Sequence, residues 1–413
     1  MNDGSWRRCL TIKGIAMSIW GKANLLRARD GHEAKVLSVE LFFDLVYVFA
    51  VTQLSHHLLE NLTPLGALQT LVLWFAVWLV WQYTCWVTNW FDPDTLPIRL
   101  MLFAVMLVSL VMSAVLPDAF GERGMVFAAC YATIQIGRTL FVVLHLGRKH
   151  ALSKNFQRML GWLCISGALW IAGGLSSAEY RLLFWIAAVA CEYLSPMIGL
   201  WLPGMGRSST QDWTIEGGHL AERCQLFVIV ALGESILVTG ATIGHMAGWD
   251  TSTLIAFLVA FLGSLAMWWI YFDTSSQAGT EAIVNSNDPG RIGAYFHYTH
   301  VIIVAGVIIT AVGNELAIAH PAGHIDTKAL TVLIGGPMVY LLGNGIYKTV
   351  VYRWFPFSHM IGLALLALLI PFAYHTDQLM ISGLTTVILI AAAIQEAVSR
   401  RGGARQHAAS HAE

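Results

Sequence analysis

Asp44, Arg138, Glu192, Glu234, His297 and His300 are ionisable residues that fall inside stretches apolar enough to lie in hydrocarbon. An ionisable group at that depth is costly unless it is paired, neutralised or wet, so each is a functional candidate. Asp44 lies inside the stretch 39–59, where Glu40, Asp44, Tyr47, Val51 and Ser55 share one helical face. Glu40, nearer the boundary, reads as a snorkelling residue. Arg138 is the one lysine or arginine placed well inside a stretch, at a depth similar to that of Asp44, so an Asp44–Arg138 pair is expected. A proton or an ionic substrate could break such a pair.

Glu234 lies eleven residues from both Arg223 and His245 and shares a face with them. It falls near the middle of its stretch, where a bare carboxylate is expensive, and it is the best proton-carrier candidate in the chain. Ser235, Thr239 and Thr242 form a separate stripe that suits helix packing. His297 and His300 stand at i, i+3 on one face. They could ligate a metal only with a third ligand from another helix; otherwise they are polar lining. Glu192 sits mid-stretch ahead of Pro196, which frees a backbone carbonyl. Gln135, Asn344 and Lys348 add polar groups to other stretches. No phosphate-cradling loop, HExxH pattern or nucleophile elbow is present in the sequence.

The elements that must position these residues are membrane helices. Of 413 residues, 56% are hydrophobic and 12% charged, where a soluble domain carries roughly a quarter charged. The net charge is −1 and no basic block occurs, so nucleic acid is not an expected partner. None of the six cysteines forms a CxxC pair, which argues against a disulfide framework or a zinc knuckle.

Twelve apolar segments are long enough to span: 37–60, 65–91, 97–116, 124–147, 156–175, 180–202, 219–244, 251–273, 292–318, 328–353, 358–374 and 378–398. Breakers such as Thr63-Pro64, Asp92-Pro93, Pro203-Gly204 and Asp288-Pro289 separate them. Lysines and arginines concentrate before the first segment, after the fourth (Arg148, Lys149, Lys154, Arg158), before the seventh (Arg207), after the tenth (Arg353) and after the last (Arg400, Arg401, Arg405). An even count with both termini cytoplasmic satisfies the positive-inside rule.

Internal similarity divides the chain. ELFFDLVYVFAVTQ from Glu40 resembles ERCQLFVIVALGES from Glu222, and Gly137-Arg138-Thr139 resembles Tyr347-Lys348-Thr349. The separations, about 180 to 210 residues, are half the chain. The expected organisation is a cytoplasmic segment 1–35, a six-helix half 36–203, a linker 204–218, a second half 219–399 of the same orientation, and a tail 400–413.

Four stretches resemble the bacterial low temperature requirement protein A (LtrA) family: 39–58 (VELFFDLVYVFAVTQLSHHL), 88–94 (TNWFDPD), 222–240 (ERCQLFVIVALGESILVTG) and 291–306 (RIGAYFHYTHVIIVAG). Matching polar positions are Glu40, Asp44, Gln53, Asp92, Glu222, Glu234, Arg291, His297 and His300; residues before about 27 fall outside the pattern. The resemblance implies a multi-spanning protein of the bacterial inner membrane, and it assigns no chemistry.

The expectation is an all-α polytopic protein acting as a secondary transporter or ion-conducting protein. Asp44, Arg138, Glu192, Glu234, His297 and His300 would line a polar site between the halves. The alternatives are an intramembrane enzyme acting on a lipid or lipid-linked substrate, and a sensor or scaffold with structural charges. Expected partners are the bilayer and a small solute or ion, with a proton or cation as the coupling species and no other cofactor.

Overall fold

The computed structural model describes residues 25–27, 29, 34–147, 149–246, 248–273 and 276–410, with side chains to 399. Most of the expected segment 1–35, Arg148 and the side chains of the basic tail lie outside the described residues.

The chain folds into fourteen α-helices among those residues. These are α1 (Ser38–Glu60), α2 (Pro64–Trp90), α3 (Leu96–Ala114), α4 (Gly124–Leu146), α5 (Ser153–Leu175), α6 (Ala178–Met197) and α7 (Gly217–His245). They continue with α8 (Thr251–Phe272), α9 (Ser276–Val284), α10 (Pro289–Ala319), α11 (Thr327–Leu333), α12 (Gly335–Tyr352), α13 (Phe357–Ala373) and α14 (Gln378–Ser410). Several expected breakers are caps. Thr63 accepts from the Gly66 N–H ahead of α2, with Pro64 in the first turn, and Asp288 accepts from the Arg291 N–H ahead of α10, with Pro289 following it. Each side-chain oxygen satisfies an orphan donor of the first turn, where proline has no N–H to lose.

Ten helical stretches are long and apolar enough to cross a membrane among the described residues. Their outer surface carries Leu107, Leu144, Leu183, Leu258 and Leu368, each more than half exposed, while Asp44, Arg138, Glu192, Arg223, Glu234 and Lys348 are buried. Apolar outside and charged inside is the arrangement of a bundle solvated by lipid. This is a polytopic membrane protein. Two of the twelve expected segments meet helices that fall outside the ten: α6, which carries Glu179, Arg181 and Glu192, and α13, with 17 residues.

The expected segment 328–353 is two helices rather than one. Pro337 has no N–H for the Leu333 carbonyl, and its ring crowds that carbonyl, so the chain breaks at Ile334 between α11 and α12. The short helix α9 has no counterpart among the expected segments.

Packing has an ordered pattern. Helix α1 packs on α2 and α3, α3 on α4, α4 on α5, α5 on α6, and α2 lies against α4 and α6. From α7 onward, α7 packs on α8 and α10, α10 on α12, α12 on α13, α13 on α14, and α8 lies against α12 and α14. Helices α1 and α2 both meet α7 and α10. The N-terminal ends of α1, α7 and α10 and the C-terminal end of α2 gather at one end of the bundle, tied by Trp90 Nε1 donating to the Thr214 carbonyl at 2.6 Å and by Thr210 Oγ1 donating to Asp288 at 2.6 Å. This is called the linker end below.

Glycines allow α10 and α12 to approach closely. A Cβ at Gly306 would stand 2.4 Å from the Tyr340 backbone nitrogen, one at Gly336 2.6 Å from that of Thr310, and one at Gly343 2.8 Å from that of Ile303. Small residues at such seams let backbones touch where lipid offers no hydrophobic drive between helices. Gly306→Ala must push two backbones apart, so a loss of about 1–3 kcal/mol is expected, the usual range for overpacking. A thermal-unfolding midpoint equal to that of the wild type would refute this.

Candidate functional site

Two clusters of ionisable groups lie where α1, α7, α10 and α2 meet. The first is near the linker end. Helix α1 presents Glu40 and Asp44 at i, i+4, and α7 presents His219 and Arg223 at i, i+4. Arg223 Nη2 donates to Asp44 Oδ1 at 2.7 Å and touches Cys85 Sγ at 3.2 Å, while Trp81 Nε1 donates to the same Asp44 oxygen at 2.8 Å. Arg223 Nη1 stands 3.9 Å from Glu40, and the guanidinium lies over the Phe43 and Trp81 rings. Neither oxygen of Glu40 is free: Arg27 Nη2 (2.8 Å) and the Leu37 N–H (3.0 Å) donate to one, and His219 Nε2 (2.9 Å) to the other.

The tautomer of His219 follows from its neighbours. Asn89 Oδ1 accepts from the Glu216 N–H and its Nδ2 donates to the Glu216 carbonyl, both at 2.8 Å, which orients the amide. Nδ2 therefore donates to His219 Nδ1 at 3.2 Å, and the ring proton sits on Nε2, pointing at Glu40.

The expected Asp44–Arg138 pair is not formed. Arg138 bonds the Val80 carbonyl at 3.1 Å, Thr84 Oγ1 at 2.9 Å and Gln135 Oε1. Sequence depth placed both residues at one level but could not say which neighbour each faces. Arg138 is also not the only buried cation, since Arg223 and Lys348 are buried as fully. Glu40, expected to snorkel, is fully buried because α7 brings two nitrogen-bearing side chains to it. Its expected counterpart Glu222 is exposed and accepts from the Val36 N–H at 3.3 Å.

Glu192 belongs to a separate network inside α4, α5 and α6. It accepts from Tyr131 Oη at 2.7 Å, Gln135 Nε2 at 3.1 Å and Trp170 Nε1 at 3.1 Å. Arg138 reaches it only through Gln135. In the second set of helices Lys348 of α12 bonds the Ile270 carbonyl of α8 at 3.1 Å and Glu396 of α14 at 2.6 and 2.7 Å. Each set thus holds a buried cation against a carbonyl of one helix and, directly or by relay, against a glutamate of another.

The second cluster lies deeper. Glu234 on α7 has Thr52 and His56 of α1 and Glu315 of α10 as its polar and charged neighbours. Glu234 Oε1 and Glu315 Oε2 are buried without hydrogen-bond partners among the described residues. Glu315 escaped sequence reasoning because it stands close to the end of its apolar stretch, where a carboxylate is ordinarily wet. Between the clusters Phe227 packs against Trp74, Trp78, Trp81 and Tyr47, with ring centroids 4.4 to 6.4 Å apart. This aromatic layer lies within the eleven-residue step from Arg223 to Glu234, about 16 Å along a helix.

His297 and His300 do not converge. His300 Nδ1 bonds the Phe296 carbonyl and its Nε2 meets Tyr271 Oη, both at 2.6 Å. His297 faces Trp78, Trp81 and Trp86 instead, and its Nε2 has no partner among the described residues. The metal reading therefore loses its pair of ligands; among the described residues no three metal-ligating side chains gather. Of the remaining family positions, Gln53 is half-buried on α1, Asp92 is a turn residue accepting from the Asp94 N–H, and Arg291 is exposed at the linker end.

Comparison with known proteins agrees with this picture of an integral membrane protein. No solved structure matches the chain. An uncharacterized protein of Rhizobium meliloti (strain 1021) is 38% identical over 377 residues, covering 91% of this chain and 92% of its own. The profile of the family described as Bacterial low temperature requirement A protein matches residues 35–394. The chain belongs to the bacterial low temperature requirement A (LtrA) family.

Proposed function

We propose that this protein is a secondary transporter or ion-conducting protein of the bacterial inner membrane, with Glu234 and Glu315 handling the coupling proton. The observation that carries the reading is the deep cluster: two neighbouring carboxyls, each with a buried oxygen lacking a partner. Buried carboxyls that feel each other's charge resist being ionised together, which favours uptake of a proton or a cation. Thr52 Oγ1 is committed to the Val48 carbonyl at 3.0 Å.

Twelve spans in two six-helix halves, with both termini cytoplasmic, fit this reading. The packing order among α7, α8, α10, α12, α13 and α14 repeats that among α1 to α6, and Lys348 repeats the carbonyl contact of Arg138. Lys149, Lys154, Arg207 and Arg353 would fall on the linker side, as the positive-inside rule asks of a cytoplasmic face. Both charged clusters sit where the two proposed halves meet, the usual place for a transport site.

The test is proton movement in proteoliposomes followed with a pH-sensitive dye. Wild type moves protons in response to an imposed gradient, and Glu234→Gln abolishes the movement. A wild type that moves neither protons nor any tested cation sinks the proposal. The aromatic layer supplies a second expectation. Phe227→Ala opens a path between the clusters, so passive proton leak rises above that of wild type; an unchanged leak rate would show that this layer is not the barrier.

A further inference from the structure

A cavity of about 470 Å³ opens at the linker end between α2, α5 and α6 on one side and α10 on the other. That volume suits a small organic molecule. Five aromatic side chains are among those that line it: Tyr83 and Trp86 of α2, Trp213 from the segment before α7, and Tyr295 and Tyr298 of α10. Three further side chains carry the polar information.

Gln82 lines the cavity, is 7% exposed, and its Oε1 is buried without a partner among the described residues. A buried amide oxygen left without a donor costs about 1–3 kcal/mol, which a ligand donor would recover once a turn of the terminal torsion brings that oxygen to the cavity wall. Trp90 marks the linker end of α2 through its bond to Thr214. Gln82 lies eight residues further in, about 12 Å deeper at the helical rise per residue.

Asp288 and Arg291 stand at the mouth. Asp288 takes one hydrogen bond on each oxygen, from the Arg291 N–H at 3.1 Å and Thr210 Oγ1 at 2.6 Å, and keeps lone pairs for a ligand. Arg291 Nε donates to Tyr295 Oη at 3.1 Å, with the guanidinium over that ring. The mouth thus offers one negative and one positive group on adjacent turns. A ligand with a single charge meets attraction and repulsion together; a head bearing both signs satisfies both.

We propose that this cavity binds a small aromatic zwitterion, an amino-acid-like molecule. Its carboxylate and ammonium meet Arg291 and Asp288 at the mouth, its ring lies between the aromatic walls, and a ring N–H or O–H donates to Gln82 Oε1. The ligand's being cargo rests on the transport reading; its binding does not.

The test uses full-length protein in lipid nanodiscs and saturation binding of radiolabelled L-tryptophan, with empty discs to subtract partitioning. L-tryptophan binds saturably. Tryptamine, which lacks the carboxylate, and indole-3-propionate, which lacks the ammonium, each compete at least about tenfold less well, one lost head contact apiece. Gln82→Leu weakens L-tryptophan by about tenfold and leaves L-phenylalanine, which has no ring donor, unchanged. Should Gln82→Leu fail to fold, the exposed Arg291→Gln replaces it: L-tryptophan weakens and tryptamine does not. Equal competition by tryptamine or indole-3-propionate, equal loss for the two amino acids in Gln82→Leu, or absence of saturable L-tryptophan binding overturns the proposal. Saturable binding without Glu234-dependent proton movement would keep this site and reject the transport reading; proton movement without binding would do the reverse.

Discussion

Arg223→Met is expected to destabilise the protein by about 3–5 kcal/mol, the cost of removing one partner from a buried ion pair. Arg223 is the only cation among the described residues bonded to Asp44, and it also stands 3.9 Å from Glu40. Methionine keeps most of the volume but leaves the Asp44 carboxylate with only Trp81 Nε1. The paired change Arg223→Met with Asp44→Leu removes the stranded charge, so it loses less than Arg223→Met alone. Thermal unfolding of the purified protein measures both. Arg138→Met serves as the control, because Arg138 has no bond to Asp44. If Arg138→Met were as damaging as Arg223→Met, and Asp44→Leu rescued it, the assignment of partners would be wrong.

The second large effect concerns Lys348. Its ammonium bonds both oxygens of Glu396 and the Ile270 carbonyl, and it is fully buried while the Glu396 side chain is 12% exposed. Lys348→Met strands Glu396 between α12 and α14 and is expected to cost about 3–5 kcal/mol by the same argument. Arg138→Met at the corresponding place in the first set of helices should cost less. Its direct partners are neutral, and Glu192 keeps Tyr131, Gln135 and Trp170 as donors. Unfolding midpoints that ranked Arg138→Met below Lys348→Met would contradict this difference.

Both results would separate structural charges from working ones. Glu40 and Glu192 accept hydrogen bonds from several donors, and Lys348 holds a carboxylate and a carbonyl. Groups satisfied in this way hold helices in register and have little to exchange. Glu234 and Glu315 differ, each keeping a buried oxygen without a partner. Stability changes should therefore follow the first set, and changes in proton movement the second.

Much of the fold was legible in the residues. Low charge and long apolar stretches identify a lipid-solvated bundle, because backbone polar groups in hydrocarbon must be satisfied within helices. Turn and cap residues placed the ends: Thr63-Pro64 and Asp288-Pro289 stop one helix and start the next. The break at Ile334 was legible too, in Pro337, but hydropathy runs across it and hid it. The charged cluster was half legible. Two carboxylates at i, i+4 on α1 and a histidine and arginine at i, i+4 on α7 are complementary rows, and that pattern was available in positions 40, 44, 219 and 223.

The sequence by itself determined the membrane class, the faces on which Asp44 and Glu234 lie, and the family. Helical period and hydropathy are local properties, and they say how deep a side chain sits and which way it turns on its own helix. The tertiary structure decided that Asp44 meets Arg223 and not Arg138, that Glu40 is buried, that His297 and His300 part company, and that Glu315 joins Glu234. Those outcomes depend on how helices are rotated against one another, a choice made by side-chain packing across the whole bundle.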